Sequence, residues 1–415
     1  DTVQGDTGTA SVTTAAVVTQ QMTNNEGCTI LSGQVIDLNG GLFTNAGLLS
    51  PGGTEKLQVT NLTGDYTQTE TGSFDLQVDL SHPGGQDALL TTGKVTLDGQ
   101  VNLTLLHPGS IQSGRRDGVL FSGNQPIDVS SVEFNHPTSA IVSFDLTPGT
   151  NNVLLATDVD FAPDGLARNQ SRIGDCFNRI QAPGVETDMS PIVAELVGME
   201  TVAEVAAAYD QLSPAAHDAA TRATIDTTQS TVANVLQHLQ RRREEVRRQV
   251  VPTALGDDSK PQREAVNAFW ADHYVENGTQ DPDPGLPGYK FDLQSNSMAY
   301  EHRLPGGFTV GAAYIQNALD LTVDIGPAKA SVNSKLGALY ADYLGRQYYV
   351  EGALAIGSHE FQLMRGIAVG SYVRNAEGSH DGTSFSGLVT AGLYRRMGSV
   401  NVDPYASLYY TSLHE

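Results

Sequence analysis

From about Phe269 to Glu415 the chain alternates apolar residues with small or polar ones, in stretches of about 10 residues or more. In Phe308-Thr309-Val310-Gly311-Ala312-Ala313-Tyr314, one face carries Phe308, Val310, Ala312 and Tyr314, and the other Thr309, Gly311 and Ala313. Tyr348 to Ile356 repeats the pattern, with Tyr348, Val350, Leu354 and Ile356 on one face and Glu351 with small residues on the other. Phe385–Leu393 and Val400–Tyr410 follow. An apolar outer face opposite a small, polar inner face is the pattern of a transmembrane β-barrel. Tyr289, Tyr300, Tyr314, Tyr340, Tyr343, Tyr348, Tyr349, Tyr405, Tyr409 and Tyr410 fall near strand ends, where an aromatic ring suits a lipid–water interface. A soluble barrel would turn its apolar face inward and gain nothing from such bands.

No window of about 20 apolar residues is present, so no transmembrane helix is expected; barrel strands never build such a run. The chain has 415 residues and calls for more than one domain. Its net charge of −23 argues against binding nucleic acid and against electrostatic docking on anionic lipid. Cys28 and Cys176 lie far apart and form no metal-type cluster, so two unpaired, partly buried thiols are expected. Asp1-Thr2-Val3 carries no signal peptide, so the start of an exported protein would lie outside this sequence.

Ahead of the alternating region, residues 1–161 read as short β segments. Examples are Phe74–Leu80, Val95–Leu97, Val101–Leu105, Ala140–Phe144 and Val153–Thr157, separated by Asn39-Gly40-Gly41, Ser50-Pro51-Gly52-Gly53 and Asp98-Gly99. Such strands suit a solenoid, a sandwich or a barrel. In a solenoid the inward Leu, Val and Ile of each rung stack on the next. Residues 162–250 switch to helical composition, in Ser190–Val197 and Thr201–Leu212. Ser213-Pro214 then sets a helix start, Ser as N-cap and Pro at the first position. That helix would reach about Arg248, on the order of 50 Å at 1.5 Å per residue. Its middle, Ala219 to Ser230, carries small and polar residues on every face. It would suit a narrow, wet, polar tunnel better than an ordinary core. The alternative is a solvated interdomain helix with a basic end, Arg241 to Arg248.

The order of these parts resembles the C-terminal region of autotransporters of type V secretion. Leu48-Leu49-Ser50-Pro51-Gly52-Gly53, Leu57-Gln58-Val59, Gly64-Asp65-Tyr66-Thr67-Gln68 and Asp87-Ala88-Leu89-Leu90 look like the closing rungs of an autotransporter passenger, the secreted segment. Tyr209-Asp210-Gln211-Leu212-Ser213 resembles the lead-in to the pore helix. Gly288-Tyr289, Tyr300–Leu304, Gly307–Gly311 and Tyr348–Gly357 resemble barrel strands. The resemblance implies a mainly β chain in three parts. Residues 1–161 would be the end of a right-handed parallel β-solenoid passenger, residues 162–250 a helical linker with the pore-spanning helix, and residues 264–415 part of an antiparallel barrel. It further implies an outer-membrane location with the passenger on the cell surface or secreted. The implied partners are the chain's own passenger, outer-membrane lipid, the barrel assembly machinery and periplasmic chaperones. The family's barrel has about twelve strands where about seven are legible here, so the sequence is expected to be cut at both ends.

No catalytic constellation is legible: neither Gly-x-Ser-x-Gly nor His-Glu-x-x-His occurs. Gly72-Ser73-Phe74-Asp75-Leu76 reads as a solenoid rung. His302, His359, His380 and His414 read as scattered loop or lumen residues, and Asp257-Asp258 and Asp281-Pro282-Asp283-Pro284 as solvated turns. Ser113 to Gly118 reads as an exposed loop. The expectation is no enzyme, no cofactor and no metal or catalytic residue. The competing readings are a soluble β-solenoid, either an adhesin or a polysaccharide-acting enzyme, and a soluble sandwich protein.

Overall fold

The computed structural model describes residues 9–12, 20–250, 266–282, 287–324, 328–345, 347–397 and 400–415. Asp1-Thr2-Val3, Asp257-Asp258 and Asp283-Pro284 lie outside them. The chain forms two compact units, Asp1–Ser213 with Ala368–Val373, and Pro214–Ile367 with Arg374–Glu415. The cut falls inside the stretch 162–250 that composition groups together.

The first unit is a parallel β-solenoid. One sheet stacks β1 (Thr9–Val12), β3 (Thr29–Ser32), β5 (Leu48–Pro51), β7 (Ser73–Asp79), β10 (Gly99–Leu106) and β12 (Val132–Asn135), every pair parallel. The other stacks β2 (Gln21–Asn24), β4 (Val35–Asn45), β6 (Val59–Gln68), β8 (Ala88–Thr91) and β11 (Gly114–Ser122), also parallel, with β9 (Val95–Thr96) on β6. The parallel run stops at β11, where β14 (Asn152–Val159) pairs antiparallel and carries β13 (Val142–Pro148) on its far side. Ser113 to Gly118 is therefore no exposed loop: from Gly114 it is a paired strand, and the Arg116 guanidinium donates to the Leu80 carbonyl at 2.8 Å.

Two apolar ladders run through this unit. Ile30, Leu49, Phe74 and Val101 are successive register partners, all buried. Met22, Phe43, Tyr66 and Val95 form the second, with Phe43 and Tyr66 edge-to-face at 5.5 Å. Burial of these side chains is the main force for stacking, about 1.5–3 kcal/mol for each large apolar residue. A buried amide ladder accompanies them. Asn24 Nδ2 donates to Asn45 Oδ1 at 2.7 Å, Asn45 Nδ2 to the Tyr66 hydroxyl at 3.2 Å, and that hydroxyl to Gln68 Oε1 at 3.0 Å. Each amide also donates across to the facing sheet: Asn24 to Leu48 O, Asn45 to Ser73 O and Gln68 to Gln100 O, all at 3.0–3.1 Å. The turn glycines keep pace with the ladder. A Cβ on Gly72 would lie 2.3 Å from the Asn45 carbonyl oxygen, and one on Gly99 2.3 Å from that of Gly72.

Three helices complete this unit: α1 (Arg168–Gln181), α2 (Ser190–Val197) and α3 (Val202–Leu212). The first is absent from the composition-based reading; the other two fall where it puts them. α3 opens on a capping box, Thr201 Oγ1 accepting from Glu204 N at 3.3 Å and Glu204 Oε2 from Thr201 N at 3.0 Å. Phe161, Phe177 and Tyr209 stack at 5.8 and 5.9 Å, and the Tyr209 hydroxyl donates to the Phe161 carbonyl at 2.6 Å. Cys28 and Cys176 form no disulfide, and Cys28 is buried while Cys176 is exposed.

The second unit is one helix, α4 (Ala215–Val250), and a seven-stranded antiparallel sheet. In order the strands are β15 (Asn267–Gln280), β16 (Tyr289–Leu304), β17 (Phe308–Val323), β18 (Ala328–Leu344), β19 (Tyr348–Val369), β20 (Tyr372–Leu393) and β23 (Tyr405–His414). A small hairpin, β21 (Arg395–Met397) with β22 (Val400–Val402), lies between β20 and β23. Ser213 is extended, and the first helical amides, His217 and Asp218, bond back to the Pro214 carbonyl. Among the described residues no helix is long and apolar enough to cross a membrane.

Candidate functional site

The faces of this sheet exchange character part-way along β16, β17, β18 and β19. Near the short turns, the outward residues are Phe269, Met298, Tyr300, Phe308, Val310, Tyr314, Leu339, Leu354 and Ile356, all exposed, Phe269 at 82% and Ile356 at 66%. The inward residues there include Glu301 at 0% and Glu351 at 1% exposure, with Thr309 and Asp342. Beyond this belt the order reverses. Asn296, Gln316, Lys335 and Ser358 face outward, while Leu293, Leu319, Leu321, Val332 and Phe361 are buried inside.

The change follows the hydrogen-bond register. Met298, Tyr314, Gly337 and Ile356 are successive partners and mark the last apolar row. Asn296, Gln316, Lys335 and Ser358 are likewise successive partners and mark the first polar row. On β19 the apolar outer stretch runs from Tyr348 to Ile356, close to the 9–11 residues that a strand needs to cross a bilayer core. An apolar exterior over a charged interior is unstable in water and stable in lipid, so this belt is the membrane-spanning part. The faces assigned from sequence in Phe308–Tyr314 and Tyr348–Ile356 lie within this belt, and the reversal lies beyond both windows.

The aromatic bands need a correction. Phe269 stacks near Tyr300 at 4.9 Å, and Phe308, Tyr343 and Tyr348 form a chain of rings at 4.7 and 5.5 Å near one rim. Those rings sit as interface residues. Tyr289, Tyr340 and Tyr349 are buried on the inner face instead. Aromatic rings serve there for the same reason they serve in headgroups: an apolar body with a polar tip.

Helix α4 packs on the inner face. Its first half sets Ala216, Ala219, Ala220 and Ala223 against Leu293, Leu319, Leu321, Val332 and Phe361. Its second half sets Val232, Val235, Leu236 and Leu239 against Ala299, Ala313, Ala338, Ala353 and Ala355. The helix is therefore not polar on every face: alanines and valines at helical spacing make a narrow stripe, and small inner residues of the strands make room for it. Between the two patches, Asn317 donates to Thr231 Oγ1 at 2.9 Å, and Thr231 and Tyr274 share a hydrogen bond of 2.9 Å.

Charge is concentrated lower on the helix. The Arg243 guanidinium pairs with the Glu351 carboxylate, both buried, and lies over the Tyr349 ring at 4.0 Å. His238 stacks on Trp270 at 4.8 Å and approaches Glu301 at 3.6 Å, and Trp270 Nε1 donates to the Tyr340 hydroxyl at 2.9 Å. Arg303 also meets Glu301, at 3.1 Å. A lumen that presents Glu301, Asp342 and Glu351 inward can hold a helix whose end carries arginines.

The four histidines singled out by sequence separate here. His302 hydrogen-bonds Asn267 at 2.7 Å, and His359 spans Ser334 and Ser384 at 2.8 Å each. His414 is exposed, and His380 meets His217 and Glu415, a grouping that no local sequence pattern announces. Gly72-Ser73-Phe74-Asp75-Leu76 lies in and before the solenoid strand β7, with Phe74 and Leu76 buried.

A sheet wetted by lipid on one side, with a helix held against the other, is the wall of an outer-membrane-type β-barrel with a helix in its interior. Residues 269–415 match the family model for the autotransporter beta-domain. The segment is thus a translocator domain of an outer-membrane β-barrel. No curated protein matches the chain.

Proposed function

We propose that this chain carries its own N-terminal passenger across the outer membrane, and that the solenoid is the folded end of that passenger. The observation that carries the reading is helix α4, whose alanine and valine stripe packs on the inner face of the barrel sheet while its chain continues into α3 and the solenoid unit. In this reading the passenger passes as an extended strand beside the position that α4 finally occupies. Rungs then stack outside, and burial of each new Leu, Val or Phe makes return unfavourable by about 1.5–3 kcal/mol per large residue. The passenger is displayed on the surface, and the chain itself performs no catalysis. Insertion draws on the barrel assembly machinery and periplasmic chaperones.

The test is deletion of residues 90–160 from the full-length gene, followed by protease shaving of intact cells. Loss of surface passenger with the barrel still inserted is expected. Unchanged display would remove the folding-seed role.

A further inference from the structure

The geometry points to a binding site for one divalent transition-metal ion of the Zn2+ class, formed by His217 on α4, His380 on β20 and Glu415, the residue that follows β23. The candidate ligand atoms of the three residues all lie within 4.8 Å of one another. Glu415 Oε2 is 3.0 Å from His217 Nε2 and 3.6 Å from His380 Nε2. A tetrahedral ion bound at about 2.0–2.1 Å separates its ligand atoms by about 3.3–3.4 Å, so a small movement of each side chain seats the ion.

A hydrogen-bonded network without metal explains only half of this. An Nε2–H on His217 accounts for its 3.0 Å contact with Glu415. His380 Nε2 is buried and has no hydrogen-bond partner, although it points at the same carboxylate oxygen. A buried ring nitrogen left without a partner costs about 1–3 kcal/mol, and a metal ion would satisfy it. The surroundings also hold the donors in place. The Phe361 ring stacks on His380 at 4.5 Å and 6°, fixing the plane of the imidazole. The Thr221 hydroxyl donates to Glu415 Oε1 at 2.8 Å, which leaves Oε2 facing the two imidazoles. Such outer partners orient metal ligands.

Two imidazoles and one carboxylate suit Zn2+, Ni2+ or Cu2+ and not Mg2+ or Ca2+, which take oxygen donors. Three protein donors leave one position for water. The ion would fasten the first turn of α4 to two strands that lie far from it in sequence. His217 and Thr221 stand four residues apart on one helix face, so the helix turn itself sets the spacing.

The experiment is calorimetric titration of ZnCl2 into the purified chain in detergent micelles at pH 7.5, with Co2+ visible absorption as a second readout. One ion per chain is expected, with intense tetrahedral Co2+ bands. His380→Asn should weaken Zn2+ binding at least about tenfold. His217→Gln, at a more exposed position, should do the same and carries the test if His380→Asn does not fold. His273→Asn, on the outer face, should bind as the parent does. Absence of saturable Zn2+ binding, or equal binding by the parent and both site variants, would overturn the proposal, as would MgCl2 binding as tightly as ZnCl2.

Discussion

Arg243 on helix α4 and Glu351 on strand β19 meet as a buried ion pair although 108 residues separate them. The pair fixes how far the helix is inserted along the sheet, since one helix turn of movement would carry Arg243 about 5.4 Å from its partner. Removing one member of a buried pair strands the other and costs about 3–5 kcal/mol. Glu351→Ala is expected to lower the urea midpoint for release of α4. Trp270, the one tryptophan in the sequence, stacks on His238 of that helix and reports the release by its emission. The double variant Arg243→Met with Glu351→Met should recover most of the loss, because neither charge is then buried alone. An unchanged midpoint for Glu351→Ala would show that the pair does not hold the helix.

The polarity boundary predicts position-dependent cost on one strand. Leu354 lies inside the apolar belt of β19, and Gln362 lies beyond it on the same face. Leu354→Lys should cost about 2–4 kcal/mol on folding into lipid vesicles, and Gln362→Lys within about 0.5 kcal/mol. Equal costs would place the lipid elsewhere on the sheet.

Asp87 in the solenoid should give the first unit a pH-dependent stability. Burial pushes its carboxyl up to about 7, against the opposing effect of the Gln58 and Gln77 backbone N–H groups, which donate to it at 2.7 and 2.8 Å. An unfolded Asp titrates near about 3.9. Between those values the folded state holds a proton that the unfolded state has lost. Stability therefore falls as pH rises from about 4 to about 7, by at most about 1.4 kcal/mol per pH unit, and levels off above. Asp87→Asn should flatten the curve in urea unfolding followed by circular dichroism.

The amide ladder predicts that its central member matters most. Asn45→Ala removes the acceptor of Asn24 and the donor to Tyr66 and Ser73. A loss of roughly 2–4 kcal/mol is expected from the groups left unpaired in the interior. Thermal unfolding of the solenoid would measure it, and a shift no larger than that of a surface substitution would show that water replaces the amide.

Strand faces were legible because side chains alternate with a period of two, which needs only neighbouring residues. Phe308 to Tyr314 and Tyr348 to Ile356 declared the lipid face correctly. Both windows end at the boundary row, so the reversal at Gln316 and Ser358 was out of their view. The helix stripe was hidden because Ala219 and Ala223 look as bland as Thr224 until a wall of strand residues meets them. The amide ladder was illegible for another reason: Asn24 and Asn45 are neighbours only once a full turn of the solenoid has closed. His217, His380 and Glu415 come from three elements, and only the sheet's register together with the helix's placement brings them into one place.

The reversal of faces has a consequence for where this chain can be at rest. Neither water nor lipid alone satisfies a strand such as β19, since each solvent suits one half of it and punishes the other. The protein therefore has a waterline. One step in its marking is two residues, about 7 Å of strand, and sinking or rising by that step would put Lys335 into oil or Ile356 into water. The bilayer surface acts as a level against which the chain floats at one depth.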